Sequence, residues 1–311
     1  MTFLLFAGGF TTSIGAGMVF PDWPLSDGSL NPEGWLQDRA MLAEHSHRLL
    51  GALIGLLIMV LTVWIWLRED RAWVRHLALA ALALVILQGL VGGMRILFNS
   101  LQFAIIHGCL AQTFVCLIAS IAAAQSSWWF RDGHGFPARA NHRLKTGGLI
   151  VCGLIFVQLI IGAVMRHIGA GLAIPTFPLT PEGGIFPQNW NFGVALHFAH
   201  RLMALIIFAV YLVWAIPLIL HRKMDGRIRL LGGVGLALLA CQVVLGAYII
   251  WTIRNPVITT AHVLIGAFFL ATSWIITFFQ FQPSQPVRAE AASRAPAGLG
   301  MGEASLDKPS A

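Results

Sequence analysis

Residue types able to hold a metal recur in this chain at matched spacing. Glu44-His45-Ser46-His47-Arg48 heads one long apolar run, and Leu196-His197-Phe198-Ala199-His200-Arg201-Leu202 heads another. His107 and His262 sit near the starts of two later apolar runs. His47 and His200 are 153 residues apart, and His107 and His262 are 155 apart. Hydrocarbon cannot solvate ionisable groups, so a His-Arg pair at the edge of a membrane-length segment is costly, and two of them point to a site. Haem iron with two axial imidazoles needs histidines from different helices facing one another across a bundle. His47 with His107 makes a front pair, and His200 with His262 makes a back pair. Small neighbours, Gly108, Ala199, Ala261 and Gly266, leave room for a flat macrocycle. A single such histidine is as well explained as a hydrogen-bonded core group. Four at equivalent positions and one depth argue for two metal or haem sites.

The two halves differ at one point of this constellation. Glu44 lies three residues before His47 and shares its helix face, whereas the second half has His197 there. A carboxylate beside a haem edge suggests proton handling or substrate chemistry in the first half. The competing reading is a Glu that pairs with Arg48 and reaches toward the interface. Arg48 and Arg201 are candidates to meet haem propionates, as are Arg95, Arg166 and Arg254, for which helix-end snorkelling is an equal explanation. His45 and His197 receive no ligand role.

The elements that must position these residues are membrane helices. Of 311 residues, 57% are hydrophobic and 11% charged, with mean hydropathy +0.77; soluble domains carry about 25% charged residues. Spans of roughly 20 apolar residues are predicted at 41–67, 77–97, 102–124, 147–167, 193–220, 230–251 and 257–280. A shorter stretch from Met1 to about Ile14 makes an eighth. It is short relative to the repeat described below, so an upstream start supplying further apolar residues is expected. The net charge of +7 reads as topology and not as nucleic-acid binding, because Lys and Arg fall in short loops. Fourteen of the twenty lie on one side, which predicts a multi-pass plasma-membrane protein with both termini cytoplasmic and the four histidines toward the outer leaflet. Cys109, Cys116, Cys152 and Cys241 all lie in apolar runs, and no CxxC occurs; they read as small hydrophobes.

The halves repeat. Ile14-Gly15-Ala16-Gly17 and Pro21-Asp22-Trp23-Pro24-Leu25 match Ile168-Gly169-Ala170-Gly171 and Pro175-Thr176-Phe177-Pro178-Leu179 at an offset of 154. This predicts an all-α membrane protein of two parallel-duplicated four-helix bundles. The N-terminal half is 1–125, the C-terminal half 146–281, and a Pro/Ala/Ser-rich cytoplasmic tail, 282–311, reads as disordered.

At Glu44-x-x-His47-Arg48, His107, His200-Arg201, His262 and the two Gly/Pro loop patterns, the chain resembles the haem A synthase family of bacterial and mitochondrial membranes, over about residues 7–280. The resemblance implies oxidation of a peripheral methyl of haem O to the formyl of haem A, for cytochrome oxidase assembly. It implies haem b as cofactor on His200 and His262, haem O as substrate at His47 and His107, and Glu44 close to the reaction as the catalytic residue. It implies an electron donor and a haem O-producing prenyltransferase as partners, alongside membrane lipid, with room for a homo-oligomer. Thr12 departs from the pattern, standing where many relatives have Arg. The competing class is a dihaem b-type membrane electron carrier, which would need the histidines but not Glu44.

Overall fold

A computed structural model describes residues 1–130 and 141–282. The described residues form eight α-helices: α1 (Thr2–Ser13), α2 (Arg39–Arg68), α3 (Ala72–Leu97), α4 (Leu101–Gln125), α5 (Asn141–His167), α6 (Phe192–Leu220), α7 (Gly226–Trp251) and α8 (Pro256–Phe279). A 3₁₀ turn at Ala170–Leu172 interrupts the α5–α6 loop. Seven helices, α2 to α8, are long and apolar enough to cross a membrane; six contain a predicted long span whole, and α8 ends one residue before the last of them. At 12 residues, α1 covers only about 18 Å at 1.5 Å per residue, well short of the hydrocarbon thickness. Apart from Gln282, the tail expected at 282–311 lies outside the described residues.

Capping residues in the sequence set where most helices begin. Asp38 accepts from the N–H groups of Ala40 and Met41, Ser100 from Phe103, Asn191 from Val194, and Asn255 from Val257 and Ile258. Each satisfies N–H groups that a helix start leaves open, and Pro256 adds a preset φ at the first position of α8. The caps of α2, α4, α6 and α8 matter most here, because these helices carry the four histidines near their N-terminal ends.

Two apolar clusters hold the helices together. One gathers Ile58, Ile65, Ala78, Phe114 and Ile121 from α2, α3 and α4. The other gathers Ile155, Tyr211, Trp214, Leu239 and Phe269 from α5 to α8. Phe278 packs against both, and α8 touches α1, α4, α5 and α7. It is accordingly the most enclosed span, while α2 is the barest, with 39% and 17% of their most apolar windows buried. Leu53, Leu56, Leu57, Val60, Val63 and Trp64 of α2 face outward, as expected where lipid rather than water is the solvent. Small residues permit close helix approach: Gly148 lies against Thr277, and Gly235 against the Tyr211 hydroxyl.

At the end of the bundle remote from the histidines, Arg71 pairs with Glu69 at 2.7 Å and donates to the Ala124 carbonyl, tying the α2–α3 turn to the end of α4. The Arg71 hydrogen bond holds the Glu69 carboxyl at about 2, against the smaller opposing effect of burial. The basic α6–α7 connection, with Arg222 and Lys223, stands at this same end. A reporter fused after Lys223 is therefore expected to behave as cytoplasmic, and one inserted at Glu182 in the α5–α6 loop as external. The reverse pattern at either point would overturn the orientation.

Candidate functional site

The four histidines line one cavity. It has a volume of about 1280 Å³ and runs through both groups of helices, exceeding the range of about 300–1,000 Å³ typical of a site for one drug-sized ligand. His47 on α2 faces His107 on α4 with ring centroids 6.4 Å apart. His200 on α6 faces His262 on α8, also at 6.4 Å. A metal–nitrogen bond is about 2.0–2.1 Å, and a ring centre lies roughly another ångström beyond. Two imidazoles sharing one axial ion should thus have centroids a little over 6 Å apart. Both pairs have that separation.

Glycines on neighbouring helices hold the rings there. A Cβ built on Gly8 of α1 would come within 2.6 Å of His47 Cε1, and one on Gly92 of α3 within 3.0 Å of His107 Cε1. Gly162 of α5 and Gly246 of α7 back His200 and His262 in the same way, at 3.2 and 3.6 Å. Gly8 and Gly162, like Gly92 and Gly246, stand 154 residues apart. Glutamines complete the support. Gln88, Gln158 and Gln242 donate through Nε2 to the backbone carbonyls of His107, His200 and His262 at 2.9, 2.9 and 2.7 Å. His107 Nδ1 also lies 3.1 Å from the Gln88 carbonyl, a contact that fixes the tautomer with Nε2 left for a metal. The Nδ1 atoms of His47, His200 and His262 are also buried, and the rings of His47 and His262 lie toward the Leu4 and Gln242 backbone in the same manner.

The pairs fit haem better than a bare ion. Among the described residues no group of three or more His, Cys, Asp or Glu could hold a metal, so each ion would have two protein ligands. Structural zinc takes four; a macrocycle supplies the missing donors itself. Open space exists for it: a Cβ at Gly51, Gly89 or Gly108 would meet nothing within 4 Å, and all three line the cavity. Of the small residues expected to make room, Gly108 and Gly266 line the cavity while Ala199 and Ala261 do not.

Two long loops close over this end of the bundle, and Glu44 and Arg48 hold the first. Glu44 Oε2 accepts from the N–H groups of Val19 and Phe20 at 2.6 and 3.2 Å, and Oε1 from Arg48 at 2.6 Å. Arg48 donates as well to the carbonyls of Asp22, Leu25 and Phe20. Burial pushes the Asp22 carboxyl up, but the N–H groups of Gly28 and Asp27, together with the Arg48 charge, bring it below its ordinary value. In the second loop His197 Nδ1 accepts from Ile174 N–H at 3.2 Å, and Arg201 donates to the Ile174 and Thr176 carbonyls. His197 therefore occupies the place of Glu44 as an acceptor for the loop backbone. The asymmetry visible in the sequence is a difference between two loop latches. Trp23 and Pro24 of one loop, and Phe177 and Pro178 of the other, line the cavity. His45 is turned away from it, bonded to Ser26 Oγ at 3.0 Å and packed edge-on against Trp35.

The glycine contacts yield a graded expectation. Gly92→Ala must displace His107 and should lower metal–macrocycle affinity at the front pair by about tenfold or more. Gly246→Ala adds an ordinary van der Waals contact and should leave the back pair unchanged. Optical titration of the two purified variants checks the contrast; equal losses would dissociate the glycines from ligand placement.

Comparison with known proteins agrees with this geometry. Residues 1–275 match the COX15-CtaA family, described as cytochrome oxidase assembly protein. A haem A synthase of Geobacillus kaustophilus is 28% identical over 312 residues, covering 96% of this chain and 95% of its own. That of Bacillus licheniformis is 27% identical, covering 87% and 88%, and that of Symbiobacterium thermophilum 31%, covering 72% and 73%. With paired histidines on the membrane helices and a family match that runs from the first residue almost to the end of α8, the chain belongs to the COX15-CtaA family of cytochrome oxidase assembly proteins.

Proposed function

We propose that this protein converts haem O to haem A, oxidising a peripheral methyl group to a formyl group in the membrane. The observation that carries the reading is the pair of 6.4 Å His–His spans inside one cavity, in a chain whose relatives are haem A synthases. Haem b on His200 and His262 is the resident cofactor, and haem O is the substrate on His47 and His107. The matched loop, glycine and glutamine positions support two duplicated four-helix halves, with α1 as an eighth span. The protein would sit in the cell membrane with both termini cytoplasmic, drawing on an external electron donor and a haem O-producing prenyltransferase.

Bound haem iron supplies the redox chemistry. The chain's part is to hold each macrocycle by two imidazoles, to back those imidazoles rigidly, and to roof the cavity so that water is excluded. Glu44 stands at the roof of the front pair. A carboxylate has about four acceptor positions, and three are taken by Val19, Phe20 and Arg48. The remaining one can take up a proton released as the methyl group is oxidised, its electrons going to the oxidant that the bound haem iron would serve, an effect typically worth roughly 10²–10⁴-fold in rate.

Separating the haems extracted from purified protein by chromatography tests the assignment: haem b together with haem O or haem A is expected, and haem b alone would favour the electron carrier. His200→Ala should strip haem b, whereas His47→Ala should spare haem b and abolish haem A formation. Equal haem b loss from both variants would again favour the carrier.

The two roles of Glu44 can be separated with the second loop as guide. Glu44→Ala leaves Arg48 buried without its partner and should cost about 3–5 kcal/mol. Glu44→His copies the His197 latch and removes the carboxylate. It should keep residues 14–38 protected from protease while haem A formation falls by the factor above. Full activity in Glu44→His would reduce Glu44 to a latch.

A further inference from the structure

Three arginines remain after the loops are accounted for. Arg48 and Arg201, expected from the sequence to meet propionates, spend their donors on loop carbonyls and, for Arg48, on Glu44. Arg95 at the end of α3, Arg166 at the end of α5 and Arg254 just beyond α7 instead converge on a cleft of about 530 Å³ between the two groups of helices. The other polar side chains there include Thr12, Ser13 and His167, and no Asp or Glu lines it. Among the described residues the guanidinium groups of Arg95 and Arg254 make no hydrogen bond or ion pair, while their backbones bond Ser100 and Ile249. Arg166 donates to the Gly9 carbonyl at 2.6 Å and to Ser13 Oγ at 2.8 Å. His167 Nε2 is buried and unpartnered.

Guanidiniums gathered with no carboxylate in contact, Arg95 and Arg166 half-buried and Arg254 exposed at the rim, repel one another unless an anion lies between them. The backbone adds to the cost: Ile253 and Arg254 both take positive φ, 53° and 61°, a conformation rare for such residues and a mark of a constrained site. The cleft is also continuous with the haem cavity, since Thr12, Arg95, Arg166, His167 and Arg254 line both. The charges are divided between the pairs. Arg95 lies on α3 three residues after Gly92, the glycine against His107, and Arg166 lies on α5 four residues after Gly162, the glycine against His200.

We propose that Arg95, Arg166 and Arg254 form a carboxylate-binding cleft that takes propionate groups from the macrocycles of both histidine pairs, Arg95 serving the front pair, Arg166 the back pair and Arg254 the shared rim. This rests on the haem reading above. Guanidinium–carboxylate contact in fork geometry is the strongest of the ordinary hydrogen bonds. It fixes each ring's rotation about the axis between its two histidines, which the histidines alone leave free. Arg166, bonded to α1 and lining the cleft, makes propionate seating and the α1–α5 contact parts of one structure.

The test uses haem-depleted full-length protein in detergent, titrated optically with ferric protoporphyrin IX and with its dimethyl ester, which lacks the carboxylates. Wild type is expected to bind the free acid at least about tenfold more tightly, the size of one charged hydrogen bond. Arg95→Gln/Arg254→Gln should erase most of that preference while leaving ester affinity unchanged, and the unchanged ester affinity reports an intact fold. Arg254→Gln alone, at an exposed position, should give a partial loss even if the double variant fails to fold. Equal acid and ester affinity in wild type, with binding still lost in His200→Ala, would overturn the cleft and leave the haem reading standing. Absence of histidine-dependent binding of either compound would remove both. If the arginine variants keep the acid preference but retain less phosphatidylglycerol, or lose an inhibition by inorganic phosphate, the anion is a lipid or free phosphate and the proposal is wrong.

Discussion

Everything at the histidine end of this bundle follows from one spacing: two imidazoles on opposed helices, far enough apart for one ion between them. The helices cannot set that spacing by apolar packing alone, since Leu and Val side chains tolerate small slides. It is set by ring-against-backbone contact at Gly8, Gly92, Gly162 and Gly246, where the absent Cβ lets a neighbouring helix act as a stop. Gln88, Gln158 and Gln242 then fix the histidine backbones along the helix axis. Lateral and axial position are thus controlled by different residues.

The roof obeys a second constraint, that irregular backbone near a membrane must find partners for its carbonyl and N–H groups. Arg48 and Arg201 answer it for carbonyls, and Glu44 and His197 for N–H groups. A single five-residue stretch at the head of α2 thus supplies a loop clamp, a loop latch and a ligand. On the opposite side of the molecule the α2–α3 and α6–α7 turns are short, and a Glu69–Arg71 pair ties the first of them.

Much of this was legible in the sequence. The seven long spans, the two histidine pairs and the odd position of Glu44 depend on local pattern and on spacing. The glycine stops were legible only in part: glycines 154 residues apart mark the repeat, but that they face histidines on another helix is a tertiary fact. The arginine assignments illustrate the limit. Arg48 and Arg201 sit beside the ligands in sequence, so they looked like propionate partners; their side chains run instead to the loops. Arg95, Arg166 and Arg254, scattered along the chain, meet in space. The sequence offered all five arginines as candidates and could not separate them, because which side chains run to a loop and which to the cleft is a tertiary fact.

The seam between the helix groups has a consequence for the order of assembly. Ser13 on α1 bonds Arg166 and Thr260, and Ser120 on α4 bonds Trp274, at separations of 153, 247 and 154 residues. Each loop latch and histidine pair, by contrast, is made within its own half. At synthesis rates of about 5–20 residues per second, Ser13 waits roughly 12–50 s for Thr260 to emerge. During that interval α1 has a polar edge and no α8 to cover it. The front half can therefore complete its roof early, while the wall between the halves is the last part of the molecule to close.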